Sequence, residues 1–304
     1  MRLDPTSLAL FVAVVEEGTI AAAARREHIA AAAVSTRIRD LEDALGTRLL
    51  SRTNQGVVPT AAGHALLGLS RGVLHSLDEL ALEIGEYSTG LRGHVRVFAN
   101  ISAIAQWLPN EIHSFLAAHP AVRILLEETI SASITRAVTD NAADVGIFTP
   151  GPYGGDLETF PYHHDRLVLI VPRRHPLARR RSVPFADTLA YDFVGLHTGS
   201  AINLQLFKAA SERDGTLRLR IQVTSYDALC RMVGAGLGIG ILPVAVAGPF
   251  EGALGLKAVR LDEPWARREL RIGVRSFATL PVAAQRFVEH LRSQVKSRPA
   301  ASAE

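Results

Sequence analysis

The spacing of apolar residues changes once along the chain, near residue 90. Before that point, apolar residues recur three and four positions apart, which is the period of an amphipathic helix. After it, short apolar runs alternate with helix-like stretches, as in domains built from alternating strands and helices. The 304 residues are enough for about two domains. We therefore predict an α/β protein with a helical domain at 1–60, a long linker helix at 61–90 and an α/β domain at 91–298.

The first sixty residues predict three short helices and a hairpin. Thr6 or Ser7 is the expected cap of the first helix, and Thr19 is the expected cap of the second. The third helix has a buried stripe at Val34, Ile38, Leu41 and Leu45. The expected bounds are a first helix that ends at Gly18, a second from Ile20 to about Glu27, a third from Ala31 to Leu45, and a hairpin over 49–59 with its tip at 54–56.

The third helix carries short polar residues opposite its apolar stripe. A helix of this kind, followed by a hairpin, is the arrangement of a winged helix-turn-helix that reads the major groove of double-stranded DNA. Hydroxyls and arginines there can contact phosphates and base edges. Residues 1–60 carry seven arginines and seven acidic residues, so net charge does not decide between this interpretation and a purely structural three-helix module. The candidate DNA-binding residues are Ala31, Ala32, Ser35, Thr36, Arg37 and Arg39 in the helix and Arg52, Thr53 and Asn54 in the wing.

Residues 61–87 predict one long helix capped by Thr60. Its apolar stripe is narrow, and the steps of three and four residues are typical of a helix that pairs with another helix. We therefore expect a dimer that pairs through this stripe, which we call the dimer seam. The seam consists of Leu66, Leu69, Val73, Leu77, Leu80 and Ile84.

The order of these residues resembles the LysR-type transcriptional regulators. The resemblance is carried by the stretch 11–20, by Ala23-Ala24, Val34-Ser35, Ile38, Leu41-Glu42, Leu45-Gly46, Arg48-Leu49 and Arg52-Thr53, and by Thr60 with Gly63. It continues with lower specificity over nearly the whole chain. The family often has Ser-Gln-Pro at the start of the third helix, where this chain has three alanines at 30–32. Glu27 and Pro59 also stand where the family usually has leucine. The scaffold is retained, and the base-reading code is expected to differ.

The resemblance implies a sequence-specific regulator with a co-inducer domain similar to type 2 periplasmic binding proteins. Lobe one would comprise residues 91–164 and 268–298, and lobe two residues 165–267, with crossovers near 162–166 and 261–267. It further implies a homodimer or homotetramer, with double-stranded DNA, a small-molecule effector and RNA polymerase as candidate partners. No other cofactor is expected.

Strand and helix patterns in the second half predict two small sheets. The expected strands are Val95–Ala99, Val122–Leu126, Asp144–Phe148, Leu167–Val171, Phe193–Leu196, Leu219–Val223, Leu237–Leu242 and Leu270–Val274. Between them, Ile104–Ala118 and Ser225–Gly234 predict helices.

Polar residues follow several of these strands, where such folds bind ligands between their lobes. Helix-start amides together with hydroxyls favour a small carboxylate or another small anion, although each hydroxyl could equally serve only as a helix cap. The candidate effector-binding residues are Asn100, Ser102, Thr129, Ser131, His197, Thr198 and Ser200.

Other functions are less compatible with the sequence. Cys230 is the only cysteine, which excludes an intrachain disulfide and a cysteine-rich zinc site. The glycines at 234, 236, 238 and 240 follow a helix instead of a strand, so they predict a turn and not a nucleotide loop. His163-His164 lacks matching metal ligands, and no catalytic constellation is evident. The N-terminus lacks an export signal, and we expect a cytoplasmic protein that does not span a membrane. A solute-binding protein, a sensor or an enzyme of periplasmic-binding-like fold that does not read DNA is the alternative function.

Overall fold

The computed structural model describes residues 3–53, 56–86 and 93–297. The chain divides into two compact units, Met1–Gly93 with Thr139–Ala142, and His94–Val138 with Ala143–Glu304. The first is a helical unit with one hairpin. Its elements are α1 (Pro5–Glu17), α2 (Ile20–Arg26), α3 (Ala31–Leu45), β1 (Leu50–Thr53), β2 (Gly56–Pro59) and α4 (Ala61–Glu86).

Local capping explains where the helices of this unit begin and end. Thr19 caps α2 as predicted, accepting from the N–H of Ala22 at 3.1 Å. The predicted cap of α1 is wrong, because Asp4 fills that place and accepts from the N–H groups of Thr6 and Ser7. Pro5 is then the first helical residue, a position that tolerates proline since no helical N–H is needed there.

A single apolar core holds the three short helices together. Val34, Ile38 and Leu41 of α3 pack with Leu8, Leu10, Phe11 and Val14 of α1, Ala23 and Ala24 of α2, and Leu67 of α4. Leu45, which we expected in the same stripe, is only partly buried beside it.

The second unit is an α/β unit of two lobes. Its strands are β3 (Gly93–Ala99), β4 (Val122–Glu128), β5 (Val145–Phe148), β6 (Glu158–Pro172), β7 (Ser182–Val183), β8 (Phe193–Leu196), β9 (Leu219–Val223), β10 (Gly240–Pro243), β11 (Leu256–Leu261) and β12 (Arg267–Val274). Its helices are α5 (Ile101–Gln106), α6 (Leu108–Ala118), α7 (Ser131–Thr139), α8 (Ala201–Ser211), α9 (Tyr226–Gly234), α10 (Val244–Ala253) and α11 (Val282–Ser297).

The long strand β6 belongs to both lobes. Up to Arg166 it pairs with β12, and from Leu167 onward it pairs with β10. The ladders therefore run through β6 as one sheet, in the order β4-β3-β5-β12-β6-β11-β7 with β10 also on β6. The two small sheets that we expected correspond to these two ladders, one on each half of β6, and β6 makes them continuous. The strands β8 and β9 form a separate parallel pair.

Other differences from the predicted elements have identifiable causes. The expected helix over 104–118 is two helices, α5 and α6, separated at Trp107. Pro109 lies in the first turn of α6, and proline has no N–H with which to continue an α5 helix. β10 begins at Gly240 and not at Leu237 because the Leu237 N–H still bonds the Met232 carbonyl at the exit of α9. β7, β11 and the first half of β6 were not predicted.

Each lobe has its own core. In lobe one, the buried residues come from β3, β5 and β12, from Leu108 and Phe115 of α6, and from Phe287, Val288 and Leu291 of α11. The rings of Phe115 and Phe287 pack edge to face with their centres 5.0 Å apart. In lobe two, residues 167–171 of β6 are all buried and pack with α8, α9 and α10. This places β6 and β12 at the passage between the lobes, with polar strand ends and loops around it.

Candidate functional site

The turn between α2 and α3 presents the start of α3 to solvent. The α2 helix ends at Arg26, and Ala30 precedes α3 with extended backbone and no side-chain capping bond. Ala31 and Ala32 are exposed at the first turn. Helix α3 therefore lacks a side-chain N-cap, as the sequence predicts. The absence of such a cap typically lowers stability by about 1 kcal/mol.

The polar face of α3 is open along its length. Thr36, Arg37 and Arg39 are exposed and Ser35 is half-buried, while the opposite stripe is buried. Arg39 makes no ion pair with any of the described residues. All six candidate residues on α3 thus lie on the surface or at its edge.

Arg37 is held by the start of α1. Its Nη1 lies 2.6 Å from a carboxylate oxygen of Asp4 and 3.4 Å from Ser7 Oγ. The Asp4 pKa is lowered: desolvation is the largest single effect and raises it, but the hydrogen bonds from Thr6 and Ser7 and the charge of Arg37 together outweigh it. Arg37 therefore has an intramolecular partner, whereas Arg39 is free to contact another molecule.

The hairpin is tied to α3 by Glu42, a residue that we did not predict. Glu42 is buried, and its Oε1 accepts from the N–H groups of Leu49 at 2.7 Å and Leu50 at 3.1 Å. In the sequence, Glu42 was marked only by its place next to Leu41 of the apolar stripe and by the resemblance to the LysR-type regulators, which includes the pair Leu41-Glu42. Because the bonds fix the first residues of β1, Glu42 sets where the hairpin leaves the helix.

The hairpin lies within the predicted range of 49–59. Arg52 pairs with Val57, and Thr53 pairs with Gly56 and donates from its hydroxyl to the Gly56 carbonyl at 3.3 Å. A Cβ at Gly56 would lie 2.3 Å from the carbonyl oxygen of Gly18, so only glycine fits against the end of α1. Asn54 and the side chain of Arg52 lie outside what the structure describes.

The predicted dimer seam lies on α4. Leu69 is 68% exposed, Val73 47% and Leu77 43%. Leu66 is half-buried and packs against the core of the helical unit. It therefore contributes to that core in addition to its place in the predicted seam. Leu80 and Ile84 belong to α4, but their side chains lie outside the described residues.

A pocket of about 270 Å³ opens between the lobes of the α/β unit. Hydroxyl groups, two charged side chains and a few apolar residues line it. Lobe one contributes Asn100, Ile101, Ser102, Glu128, Thr129, Ile130 and Ser131; lobe two contributes Leu196, His197, Ser200, Ala201, Ile202, Thr224 and Tyr226; and Arg268 comes from β12.

Six of the seven candidate effector-binding residues line this pocket. The exception is Thr198, which is exposed and lies near the Gln222 amide at 3.4 Å. Thr198 therefore belongs to the surface of the α/β unit and not to the pocket lining. Asn100 and Ser200 also cap helices, accepting from Ala103 and Asn203, so their oxygens already have partners.

Arg268 organises the floor of the pocket. Its guanidinium makes two bonds to the carboxylate of Asp165, one of them from Nε at 2.8 Å, and Nη2 donates to Ser102 Oγ at 3.1 Å. Ser102 Oγ in turn lies 3.0 Å from the Tyr226 hydroxyl. Burial raises the Tyr226 pKa to about 12 although Arg268 and Ser102 lower it. Tyr226 is therefore a neutral hydroxyl, and the cluster joins both lobes.

We did not predict Arg268, Tyr226 or Asp165. Tyr226 follows the helix cap Ser225 and could have been found as a polar side chain at a helix start. Arg268 stands beside Arg267 at the beginning of a strand, and no local pattern distinguishes the buried arginine from its exposed neighbour.

The histidine pair has a structural environment. His163 is buried, bonds Glu111 Oε1 at 2.6 Å and stacks on Trp107, while His164 is exposed. No group of three or more metal-binding side chains occurs in the described ranges. No single helix in those ranges is long and apolar enough to cross a membrane; α1 and α2 pass that test only together, across a bend of 119°.

Two protein families match the chain. "Bacterial regulatory helix-turn-helix protein, lysR family" matches residues 5–64, and "LysR substrate binding domain" matches residues 88–296. The RuBisCO operon transcriptional regulator of Allochromatium vinosum is 30% identical over 243 residues, covering 80% of each chain. The uncharacterized HTH-type transcriptional regulator YbhD of Escherichia coli is 28% identical over 287 residues, covering 94% of this chain and 90% of that one.

Solved structures share the fold. A full-length OxyR variant of Pseudomonas aeruginosa has a TM-score of 0.73 at 20% identity, covering 98% of this chain and 96% of that one. Full-length CbnR in complex with its target DNA has a TM-score of 0.65 at 24% identity, with coverage of 96% and 99%. The regulatory domain of Synechocystis CcmR in complex with 2-PG has a TM-score of 0.63 at 23% identity, with coverage of 69% and 100%.

Proposed function

The chain belongs to the LysR family of bacterial transcriptional regulators, and we propose that it reads its operator through α3 and the β1–β2 wing, under the control of a small molecule held between the lobes. The helix-turn-helix match over 5–64 argues against the alternative, a solute-binding, sensor or enzyme domain that does not read DNA.

The open polar face of α3 is the observation that carries the DNA-binding proposal. Its apolar face is occupied by the core of the helical unit, so the exposed face is free to enter a major groove. Arg39 is exposed and unpaired among the described residues, and we assign it a contact to a phosphate or to guanine. Ser35, Thr36 and the methyl groups of Ala31 and Ala32 would complete the reading surface.

The exposed apolar stripe on α4 supports a dimer. Leu69, Val73 and Leu77 are large apolar side chains that are exposed to solvent on one helix. Pairing with the same helix of a second copy would bury them. Two copies would present two α3 helices to successive major-groove turns. Light scattering distinguishes such a dimer from a tetramer formed by two dimers.

The pocket between the lobes supports an effector site. It is concave, and it is lined by polar groups from both lobes, which is the usual form of a small-molecule site. A ligand that contacts both lobes favours one arrangement of them and can change activity only through that preference. The hydroxyls and Arg268 favour a small carboxylate or another small anion.

The test is operator binding by fluorescence anisotropy, with DNA taken from upstream of the chain's own gene. We expect specific binding whose affinity falls as salt rises. If Arg39 contacts a phosphate, Arg39→Ala should reduce the salt slope by about one unit on all sequences. If it contacts a base, the variant should lose about 1–3 kcal/mol and relax one position.

Arg260→Ala is the matched control, because Arg260 is an exposed arginine in lobe two and should leave the affinity unchanged. Folded wild-type protein that shows no preference for any upstream fragment over random DNA would contradict the proposed function. An Arg39→Ala variant with wild-type affinity and salt slope would contradict only the assignment of Arg39.

A further inference from the structure

A hydrogen bond between two buried hydroxyls joins opposite walls of the pocket. Ser102 belongs to lobe one and Tyr226 to lobe two, and their hydroxyl oxygens lie 3.0 Å apart. Ser102 is 3% exposed and Tyr226 is 4% exposed. Because a buried hydroxyl that loses its partner is left unsatisfied, separating these two side chains is unfavourable. The bond therefore favours the arrangement of the lobes in which the two hydroxyls meet.

The Tyr226 hydroxyl is fixed to lobe two by the helix that carries it. Tyr226 is the first residue of α9, and Ser225 caps this helix by accepting from the Ala228 N–H at 3.2 Å. Leu229 and Cys230, in the same helix, are buried in the core of lobe two. A movement of lobe two therefore carries the Tyr226 hydroxyl with it.

The Ser102 hydroxyl is held in lobe one by a charged neighbour. Arg268 Nη2 donates to Ser102 Oγ at 3.1 Å, and the guanidinium is itself fixed by Asp165, which accepts from Nε at 2.8 Å. Hydrogen bonds that follow one another in a chain polarise and strengthen each other. The bond from Ser102 to Tyr226 is therefore the last link of a chain that begins at a buried ion pair.

The apolar contact between the lobes does not fix their arrangement by itself. Ile101, the residue before Ser102, packs against the core of lobe two. Burial of apolar surface is favourable but has no direction, so this contact holds the lobes together and still lets them slide. A hydrogen bond requires a defined distance and angle. The bond between Ser102 and Tyr226 therefore adds the alignment that the apolar contact lacks.

We propose that the bond between Ser102 and Tyr226 is a latch, which holds the two lobes in one arrangement and has to open before they can take another. The inference rests on the proposed effector-binding function, because both residues line the pocket and the latch regulates that same site. An effector then controls the protein by favouring either the closed or the open latch. Ser102 and Tyr226 are positioning residues for the lobes.

A thiol placed in the pocket wall measures how often the latch opens. Ile202 lines the pocket from lobe two and is 3% exposed. When closing is fast, the rate at which the thiol of Ile202→Cys reacts with Ellman's reagent is proportional to the fraction of open protein. A hydrogen bond of ordinary net strength changes this fraction about fivefold. We therefore expect Tyr226→Phe and Ser102→Ala each to raise the rate for the introduced thiol about fivefold in the full-length protein.

The native cysteine distinguishes an open latch from a loosened lobe two. Cys230 lies one helical turn after Tyr226 in α9 and is buried in the core of lobe two. If Tyr226→Phe only loosened α9, Cys230 would become reactive as well, whereas an open latch leaves it covered. Cys230 should stay unreactive in Tyr226→Phe protein that carries no introduced thiol. Equal acceleration at Cys230 overturns the latch.

Matched control variants remove the same groups without touching the latch. Ser114→Ala removes a hydroxyl that lies 2.8 Å from His290 Nε2, and both of these residues belong to lobe one. Tyr191→Phe changes a half-buried tyrosine of lobe two that does not line the pocket. Both controls should leave the rate for the introduced thiol within twofold of the parent.

The two latch variants also test each other. Because Ser102→Ala and Tyr226→Phe remove the same bond, the double variant should react about fivefold faster than the parent and no more. A double variant whose acceleration is the product of the two single effects overturns the pairing. A rate within twofold of the parent in either folded variant overturns the latch, and Ser102→Ala keeps the test available if Tyr226→Phe does not fold.

Operator binding, measured by fluorescence anisotropy on the same preparations, separates this inference from the proposed function. Both latch variants should change operator affinity in the same direction and by at least twofold, while Ser114→Ala and Tyr191→Phe leave it unchanged. Faster thiol reaction together with wild-type operator affinity overturns the role of the latch in control. Wild-type protein that does not bind the operator rejects the proposed function, and the thiol rates still decide whether the latch exists.

Discussion

Glu42 should control the stability of the junction between α3 and the wing. Its Oε1 accepts two backbone bonds, from Leu49 at 2.7 Å and Leu50 at 3.1 Å, and its side chain is 10% exposed. Bonds to a charged acceptor are each worth about 1.5–3 kcal/mol, and truncation leaves the donors unsatisfied. The 3.5 Å contact with Arg48 adds little because Arg48 is 84% exposed. We expect Glu42→Ala to weaken the junction by about 3 kcal/mol.

Hydrogen exchange of the full-length protein measures this locally. Amide protons in the segment 47–52 should exchange about 100-fold faster in Glu42→Ala than in wild type, since each 1.4 kcal/mol is a factor of ten. Glu42→Gln retains an acceptor oxygen without the charge and should give an intermediate value. Asp43→Ala, at the exposed neighbour, is the control. Exchange within threefold of wild type in Glu42→Ala would refute the reasoning.

Leu77→Asp should convert the proposed dimer to a monomer at low micromolar concentration and weaken operator binding with it, because an unpaired carboxylate is costly in an apolar helix pair. Light scattering that gives the wild-type mass would reject the seam. His64→Asp, at an exposed position on the opposite face of α4, serves as control. Cys230 should not react with Ellman's reagent at pH 8 until the protein is unfolded, since burial, followed by the charge of Asp227, raises the pKa of its thiol to about 12; rapid reaction of the native protein would contradict its place in the core. The raised pKa of the Cys230 thiol stabilises the folded protein below pH 9, and this stabilisation is lost as the pH rises toward 12, because the folded state favours the protonated thiol. The raised pKa of Tyr226 has the same effect, starting from pH 10. Denaturation midpoints at pH 8 and pH 11 measure the loss of stability.

The helical unit could be predicted almost completely because its signals are local. A threonine cap at Thr19 and the glycine at Gly46, whose φ of +64° ends α3, act within one turn of the helix that they terminate. The α1 cap was predicted wrongly because capping signals are local. Asp4, Thr6 and Ser7 could each cap this helix, and the sequence does not rank them.

Strands are harder to bound because their partners are distant. The first half of β6 contains Pro161 and two histidines and has no apolar alternation, yet it is a strand because β12, about a hundred residues later, pairs with it. No local pattern contains that information. The predicted pocket residues depend less on this pairing, since caps and strand ends are themselves local features.

The charged residues of the pocket could not be predicted either, because pairing between distant strands brings them together. The same pairing bears on how a ligand can control the protein. Asp165 and Arg268 are register partners in the β6–β12 ladder, one residue before β6 leaves lobe one's ladder at Arg166 and enters lobe two's at Leu167. A ligand bonded to Arg268 therefore contacts the crossover strands themselves. Because the same guanidinium also bonds Ser102, and Ser102 bonds Tyr226, a ligand bonded to Arg268 acts on a cluster that already spans the two lobes. Ligand binding and lobe arrangement are then coupled through one buried arginine, provided that the ligand binds one arrangement better than the other.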